Sequence, residues 1–177
     1  MTKNVRFAIM VMIVMILVSS TVSAVTSMNK MVRNLDTHFQ NGSGDNLSIQ
    51  NDLMDKCEIA TNLVSLSKDY ISTSDQHIKA VQSTVNDLKS ETSVARKYKL
   101  MNTLDTNVDW IMTELGSKGL SETHKNMLVK YQSQYRSENN TINSDPYNAM
   151  VKAYYDETSG FPGSLFRMFA KKAEYFQ

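Results

Sequence analysis

Two apolar patterns divide this chain. From residue 7 to residue 29 nothing is charged, and the opening stretch FAIMVMIVMILV, residues 7–18, is almost wholly apolar. Beyond residue 29 the apolar residues recur in steps of three and four, the period of one helix face. Residues 27–39 predict a helix with Met28, Met31, Val32, Leu35 and Phe39 on one side, continuous with the segment before it. Residues 40–46, QNGSGDN, carry glycine, asparagine and serine together and predict a loop.

The longest stripe follows. Leu53, Cys57, Ala60, Val64, Ser67, Ile71, Ser74, Ile78, Val81, Val85 and Leu88 alternate steps of three and four. That is a coiled-coil-like seam and predicts one helix over 48–90, about 64 Å long at the α-helical rise. Leu63, Leu66 and Tyr70 widen its first half, so that half is expected to touch more than one neighbour. A third helix is expected over 91–115, with Val94, Tyr98, Met101, Leu104, Val108, Ile111 and Leu115 as its stripe. No Gly or Pro marks residues 90–93, which predicts a short kink there. Trp110 lies off the stripe, as a second contact face.

GSKGL at 116–120 ends that helix, and Ser121 with Glu122 predicts an N-cap with a first-turn acid. The fourth stripe is Leu128, Tyr131, Tyr135, Glu138 and Ile142, then Tyr147, Val151, Tyr154 and Thr158. The longer step brackets Pro146, and Asp145 before it predicts a break near 143–146 with a fresh helix start. Gly160, Phe161, Pro162 and Gly163 stop this helix. Leu165, Phe166, Met168 and Phe169 predict a short helix or turn, and Tyr175 and Phe176 either stand exposed or pack under the bundle end.

The charge-free segment has two readings. As a membrane span, residues 7–29 reach roughly 35 Å, enough for a hydrocarbon core of about 30 Å. Phe7, Ile9, Val11, Ile13, Ile16, Leu17 and Val18 would face lipid. As a signal peptide, Lys3 and Arg6 form the basic start, residues 7–18 the apolar core, and Val22 and Ala24 a small-residue cleavage site. The residues alone leave the two open. Positive charge slightly favours an inside N-terminus, which would put the remainder on the extracytoplasmic side.

Composition narrows the function. Lys and Arg number 19 against 18 Asp and Glu, so no concentrated basic footprint for nucleic acid is expected. Only 2 prolines and 6 glycines interrupt the chain, which agrees with long helices. The single cysteine, Cys57, lies on the seam and is expected to be a buried, inert thiol. His38, His77 and His124 are far apart, and no metal site is predicted. No glycine-rich phosphate loop, GxSxG elbow or HExxH helix occurs. Asp52 with Asp55, Asp105 with Asp109 and Asp156 with Glu157 are expected on solvated faces. The tyrosines of the fourth stripe, with Tyr155, predict core packing or a partner surface.

Two stretches together carry a family resemblance: CEIATNLVSLSKDY at 57–70, centred on Asn62, Leu63 and Val64, and YNAMVKAYYDETSGFPGSL at 147–165. The chain resembles the LemA family of bacterial membrane-associated proteins over nearly its whole length. Tyr147, Asn148, Val151, Tyr154, Phe161 and Pro162 match the family's final-helix signature, and residues 28–33 match its linker helix. Ala60-Thr61 replaces the proline of the first motif, and Tyr154-Tyr155 replaces the second Tyr-Asn. The resemblance implies a bundle of long antiparallel helices and a retained anchor, and it brings no catalytic or cofactor residues.

The sequence therefore predicts an all-α chain: an N-terminal transmembrane helix followed by an antiparallel bundle of long helices. Residues 1–29 are the anchor and 30–177 the LemA-like bundle. The expected role is a membrane-tethered, non-catalytic scaffold or interaction module at the cell envelope. Its partners are the bilayer, through residues 7–29, and an unidentified protein, with no cofactor, metal or nucleic acid. The alternatives are a secreted helical protein after cleavage near Ala24, or an enzyme accessory factor with an unrecognised site.

Overall fold

The computed structural model describes residues 3–42 and 48–177. The described residues form seven helices: α1 Lys3–Asn41, α2 Ile49–Ser67, α3 Gln76–Ser90, α4 Val94–Gly116, α5 Glu122–Ser144, α6 Tyr147–Glu157 and α7 Gly163–Arg167. No strand occurs among the described residues. The chain forms two compact units. One comprises Met1–Thr37 with Ala149–Ala173, the other His38–Asn148 with Glu174–Gln177.

In the second unit, α2 to α5 form an up-and-down bundle. Tyr70 near the end of α2 meets His124 at the start of α5, and Lys56 meets Asn139, so those two helices are antiparallel. Lys97 meets Gln50 and Lys56 meets Asp105, so α2 and α4 run the same way. Leu53, Leu63, Ile78, Leu88, Leu104, Val108, Ile111 and Leu115 are almost fully buried, and Cys57 lies among them.

The single helix expected over 48–90 is not formed. It ends at Ser67 and restarts at Gln76, and the two halves pack on each other as a hairpin. Both halves keep the seam register, so Cys57, Ala60 and Val64 share one core with Ile78, Val81 and Val85. The turn is made by polar side chains rather than by Gly or Pro. Ser67 Oγ donates to the Val64 carbonyl at 2.8 Å, and the Ser72 and Ser74 hydroxyls pair at 2.8 Å. Asp75 Oδ1 accepts from the His77 amide at 2.7 Å and caps α3. Ser74, expected on the seam, is exposed in this turn.

Residues 90–93 likewise form a full reversal rather than a kink. Glu91 adopts an extended backbone, and its Oε1 accepts from the Thr92 and Ser93 amides, both at 2.7 Å. These amides hold its carboxyl below the usual range, the Ser93 bond first. Ser93 then caps α4 through the Arg96 amide at 3.3 Å.

The remaining stops follow the sequence closely. α1 runs unbroken for 39 residues, about 58 Å. It includes Gln40 and Asn41, which were expected in the loop, and ends where Gly42 takes a φ of 71°. The rest of the expected loop, 43–46, lies outside the described residues. Ser121 caps α5, and Asp145 ends it and accepts from the Tyr147 amide at 2.8 Å to open α6. In the first unit Met28, Val32, Leu35, Val151 and Tyr154 are buried, whereas residues 5–18 of α1 are exposed.

The capped hairpin predicts the effect of Asp75→Ala. It should destabilise the protein by about 1 kcal/mol in denaturant titration, the usual cost of losing an N-cap. In an uninterrupted helix the same change would be neutral or stabilising, because alanine is the better helix former.

Candidate functional site

The polar chemistry of the bundle is concentrated where α2, α4 and α5 meet. Lys56 stands one residue before the seam cysteine and is fully buried. Its ammonium lies 2.6 Å from Asp105 Oδ1, donates to Asn139 Oδ1, and sits 4.7 Å from the centre of the Tyr135 ring. The Tyr135 hydroxyl donates to the same Asp105 oxygen at 2.7 Å. One carboxylate therefore collects both donors and joins three helices. Burial pulls the Lys56 ammonium below its usual range, and Asp105 opposes that pull. Burial, then the Asp105 charge, pushes the Tyr135 phenol well above its usual range.

Asp52, one turn earlier on α2, is a different case. Its residue is 1% exposed, and its Oδ1 has no hydrogen-bond partner. Burial, followed by the charges of Glu138, Asp55 and Asp145, pushes its carboxyl up to about 6. Glu138 is raised as well, by burial and then by Asp55. Asp145 itself lies 3.1 Å from His38 Nε2, and both side chains are buried. Asp52 and Asp105 thus correct the expectation of solvated carboxylates. Asp52 is covered in the folded bundle, and Asp105 answers a buried lysine. Neither Lys56 nor Asp105 breaks the apolar stripe, since each flanks a seam position; only the packing of three helices brings them together.

The resemblance residues serve packing. Leu63 and Val64 are buried in the core, while Asn62 is half-buried at its edge. Tyr147 and Asn148 hold the chain terminus. Asn148 Nδ2 donates to the Phe176 carbonyl at 2.7 Å, and the Phe176 amide donates back to Asn148 Oδ1 at 2.8 Å. The Tyr147 hydroxyl donates to the Glu174 carbonyl at 2.9 Å. Phe176 is buried, with ring centres 5.6 Å from Phe39 and 5.2 Å from Tyr98. Glu174 Oε2 accepts from Ser93 Oγ at 2.7 Å and the Ala95 amide at 3.1 Å, joining the α4 cap. The hydrogen bond from the Ser93 hydroxyl leads the causes that lower its carboxyl. Val151 and Tyr154 are buried in the other unit, where Phe161 and Pro162 are exposed.

Cys57 is fully buried, and burial pushes its thiol up to about 11, which leaves no thiolate near neutral pH. Trp110 packs against the bundle core, and His77 stacks on it at 4.2 Å. Among the described residues no group of three or more His, Cys, Asp or Glu is placed to hold a metal ion. Phe7, Ile9, Val11, Ile13, Ile16, Leu17 and Val18 are all exposed, so α1 presents its apolar surface outward. That helix is long and apolar enough to cross a membrane. Compared with family models, curated proteins and solved structures, the chain finds no match.

Two predictions follow from the polar cluster. The folded carboxyl of Asp52, about 6, lies above its ordinary value of 3.8, so its neutral form favours folding. That advantage is complete below about pH 4 and is lost as pH rises through about 6. Asp52→Asn should therefore raise stability by about 1–3 kcal/mol at about pH 8 and change it little at about pH 4. Thermal melts of detergent-solubilised protein at both pH values check this. Lys56→Ala should cost about 3–5 kcal/mol in denaturant titration, because it cuts a buried pair and leaves a cavity.

Proposed function

We propose that this chain is a membrane-tethered, non-catalytic, LemA-like helical protein that acts as a scaffold or interaction module at the cell envelope. Residues 7–29 pass once through the cell membrane, and the remainder lies on the extracytoplasmic side.

The observation that carries the tether is the contrast within α1. Its most apolar window has a mean hydropathy of 2.5 and none of it is buried. Later on the same helix, Met28, Val32 and Leu35 are buried. A soluble chain would leave the first stretch in water at about 25 cal/mol per Å² of apolar surface. A bilayer removes that cost. The helix is continuous from Lys3 to Asn41, so Ala24 stands in its middle. The LemA resemblance favours a retained anchor over a cleaved leader.

Support for the non-catalytic reading comes from how the polar groups are used. Lys56, Asp105, Tyr135 and Asn139 satisfy one another. Glu174 and Asn148 hold backbone groups of the chain itself. The residues of the LemA-like signature at 147 and 148 act in the same way, as a clasp on the terminus. Rigidity of this kind suits a module that presents a surface.

Intact mass of the mature protein, combined with alkaline extraction of membranes, tests the proposal. The uncleaved 20.0 kDa chain should remain in the membrane pellet. A mass corresponding to a start at Val25, with release into the supernatant, would make it a secreted protein and overturn the tether.

A further inference from the structure

We infer that the knuckle formed by residues 160–172 is a second membrane contact, seated in the interfacial layer of the bilayer beside the point where α1 emerges. This rests on the reading of α1 as a span.

Four large apolar side chains stand out from this short segment. Phe161 is 89% exposed, Met168 77%, Phe169 67% and Leu165 47%. Such a cluster on a folded surface marks a contact with something apolar. The segment is held firmly from behind. Arg167 Nη1 donates to the Tyr155 carbonyl and to Thr158 Oγ1, both at 3.3 Å, and the guanidinium lies 5.2 Å from the Tyr155 ring centre. The Tyr155 hydroxyl donates to the Ala173 carbonyl at 2.7 Å. A Cβ on Gly163 would stand 3.1 Å from the Thr158 carbonyl oxygen, so the turn packs closely on the end of α6. Apolar side chains held outward by a braced turn are not a collapsed core that failed to close.

Position names the occupant. The Lys171 amide donates to Asn29 Oδ1 at 2.7 Å, which ties the end of the knuckle to α1. Asn29 is the last residue of the charge-free run. If Phe7 marks one edge of a hydrocarbon core of about 30 Å, the other edge falls near Ser27, and Asn29 sits about 3 Å beyond it. That height is within the headgroup layer. Met168 is separated from Lys171 by at most about 11 Å of extended chain, so its side chain and that of Phe169 are within reach of the acyl boundary. Charge agrees with the position. Lys30, Arg33, Lys171 and Lys172, all exposed, flank the Asn29–Lys171 tie in sequence and would meet anionic headgroups. Apolar side chains below a basic collar are the arrangement of a monotopic interfacial element.

The test uses the full chain reconstituted in phosphatidylcholine vesicles containing phosphatidylglycerol. Met168→Cys carries a spin label, and Cys57, fully buried, stays unlabelled under native conditions. Collision with oxygen, which concentrates in lipid, is compared with collision with a water-soluble nickel chelate. The oxygen-to-nickel ratio at position 168 should exceed that of Val129→Cys, an exposed site on α5, several-fold. A ratio at 168 equal to that at 129 would overturn the inference and leave the knuckle as a site for a soluble protein. Ile13→Cys, labelled in the same vesicles, reports the span separately, so a lipid-like signal at 13 with a water-like signal at 168 sinks the knuckle alone.

Discussion

The second unit depends on covering one apolar seam. Leu53 to Leu88 form a stripe too long and too apolar to leave on a lone helix in water. Covering it by self-association would have required a second copy of the chain. Instead the stripe is folded in half at residues 68–75, so each half covers the other. Ordering the turn costs about 1–2 kcal/mol per residue in backbone entropy. Complete burial of Leu53, Leu63, Ile78 and Leu88 returns about 1.5–3 kcal/mol for each side chain. Once α2 and α3 close, α4 and α5 complete a core around them, and Asp52 and Lys56 on α2 are trapped where α4 and α5 pack against it.

Those trapped groups give the bundle its particular arrangement. An apolar seam alone tolerates sliding between helices. Lys56 meeting Asp105 and Asn139 fixes α2 against α4 and α5 at one height. The terminus adds a second fixed point, through the Asn148 bonds to Phe176 and the Glu174 bonds at the head of α4. Asp52 goes the other way: a carboxyl oxygen without a partner costs stability at neutral pH. Apart from Met127 and Val129 on α5, the exposed large apolar side chains among the described residues lie on α1 and on residues 161–169, both in the other unit.

Much of this was legible from period and punctuation. The cap at Ser121, the break at Asp145 and Pro146 and the core stripes of α4 and α5 follow directly from residue type, whereas α1 runs two residues past its expected end at Phe39. The reversal at 68–75 was not, because a heptad period is identical in a continuous helix and in one folded on itself. The local signal was there, in the serine-threonine-serine-aspartate run ending at Asp75, but without Gly or Pro it resembles a polar helix surface. The same explanation covers residues 90–93, where Glu91 supplies from its side chain what a glycine usually supplies from its backbone. Lys56 and the Asn148 clasp were illegible for another reason. Their partners lie 49 residues or 28 residues away, and pairing at that range appears only after folding.

The central claim is the folded seam, and one distance tests it most directly. Thr61 on α2 and Lys89 on α3 are both exposed and line the same groove between the two helices. Spin labels placed there by Thr61→Cys and Lys89→Cys can be measured by pulsed dipolar spectroscopy. A hairpin, with axes about 10 Å apart, predicts a narrow distribution below about 30 Å. A distribution centred near or above about 42 Å, the rise of a continuous helix between these residues, would contradict the account.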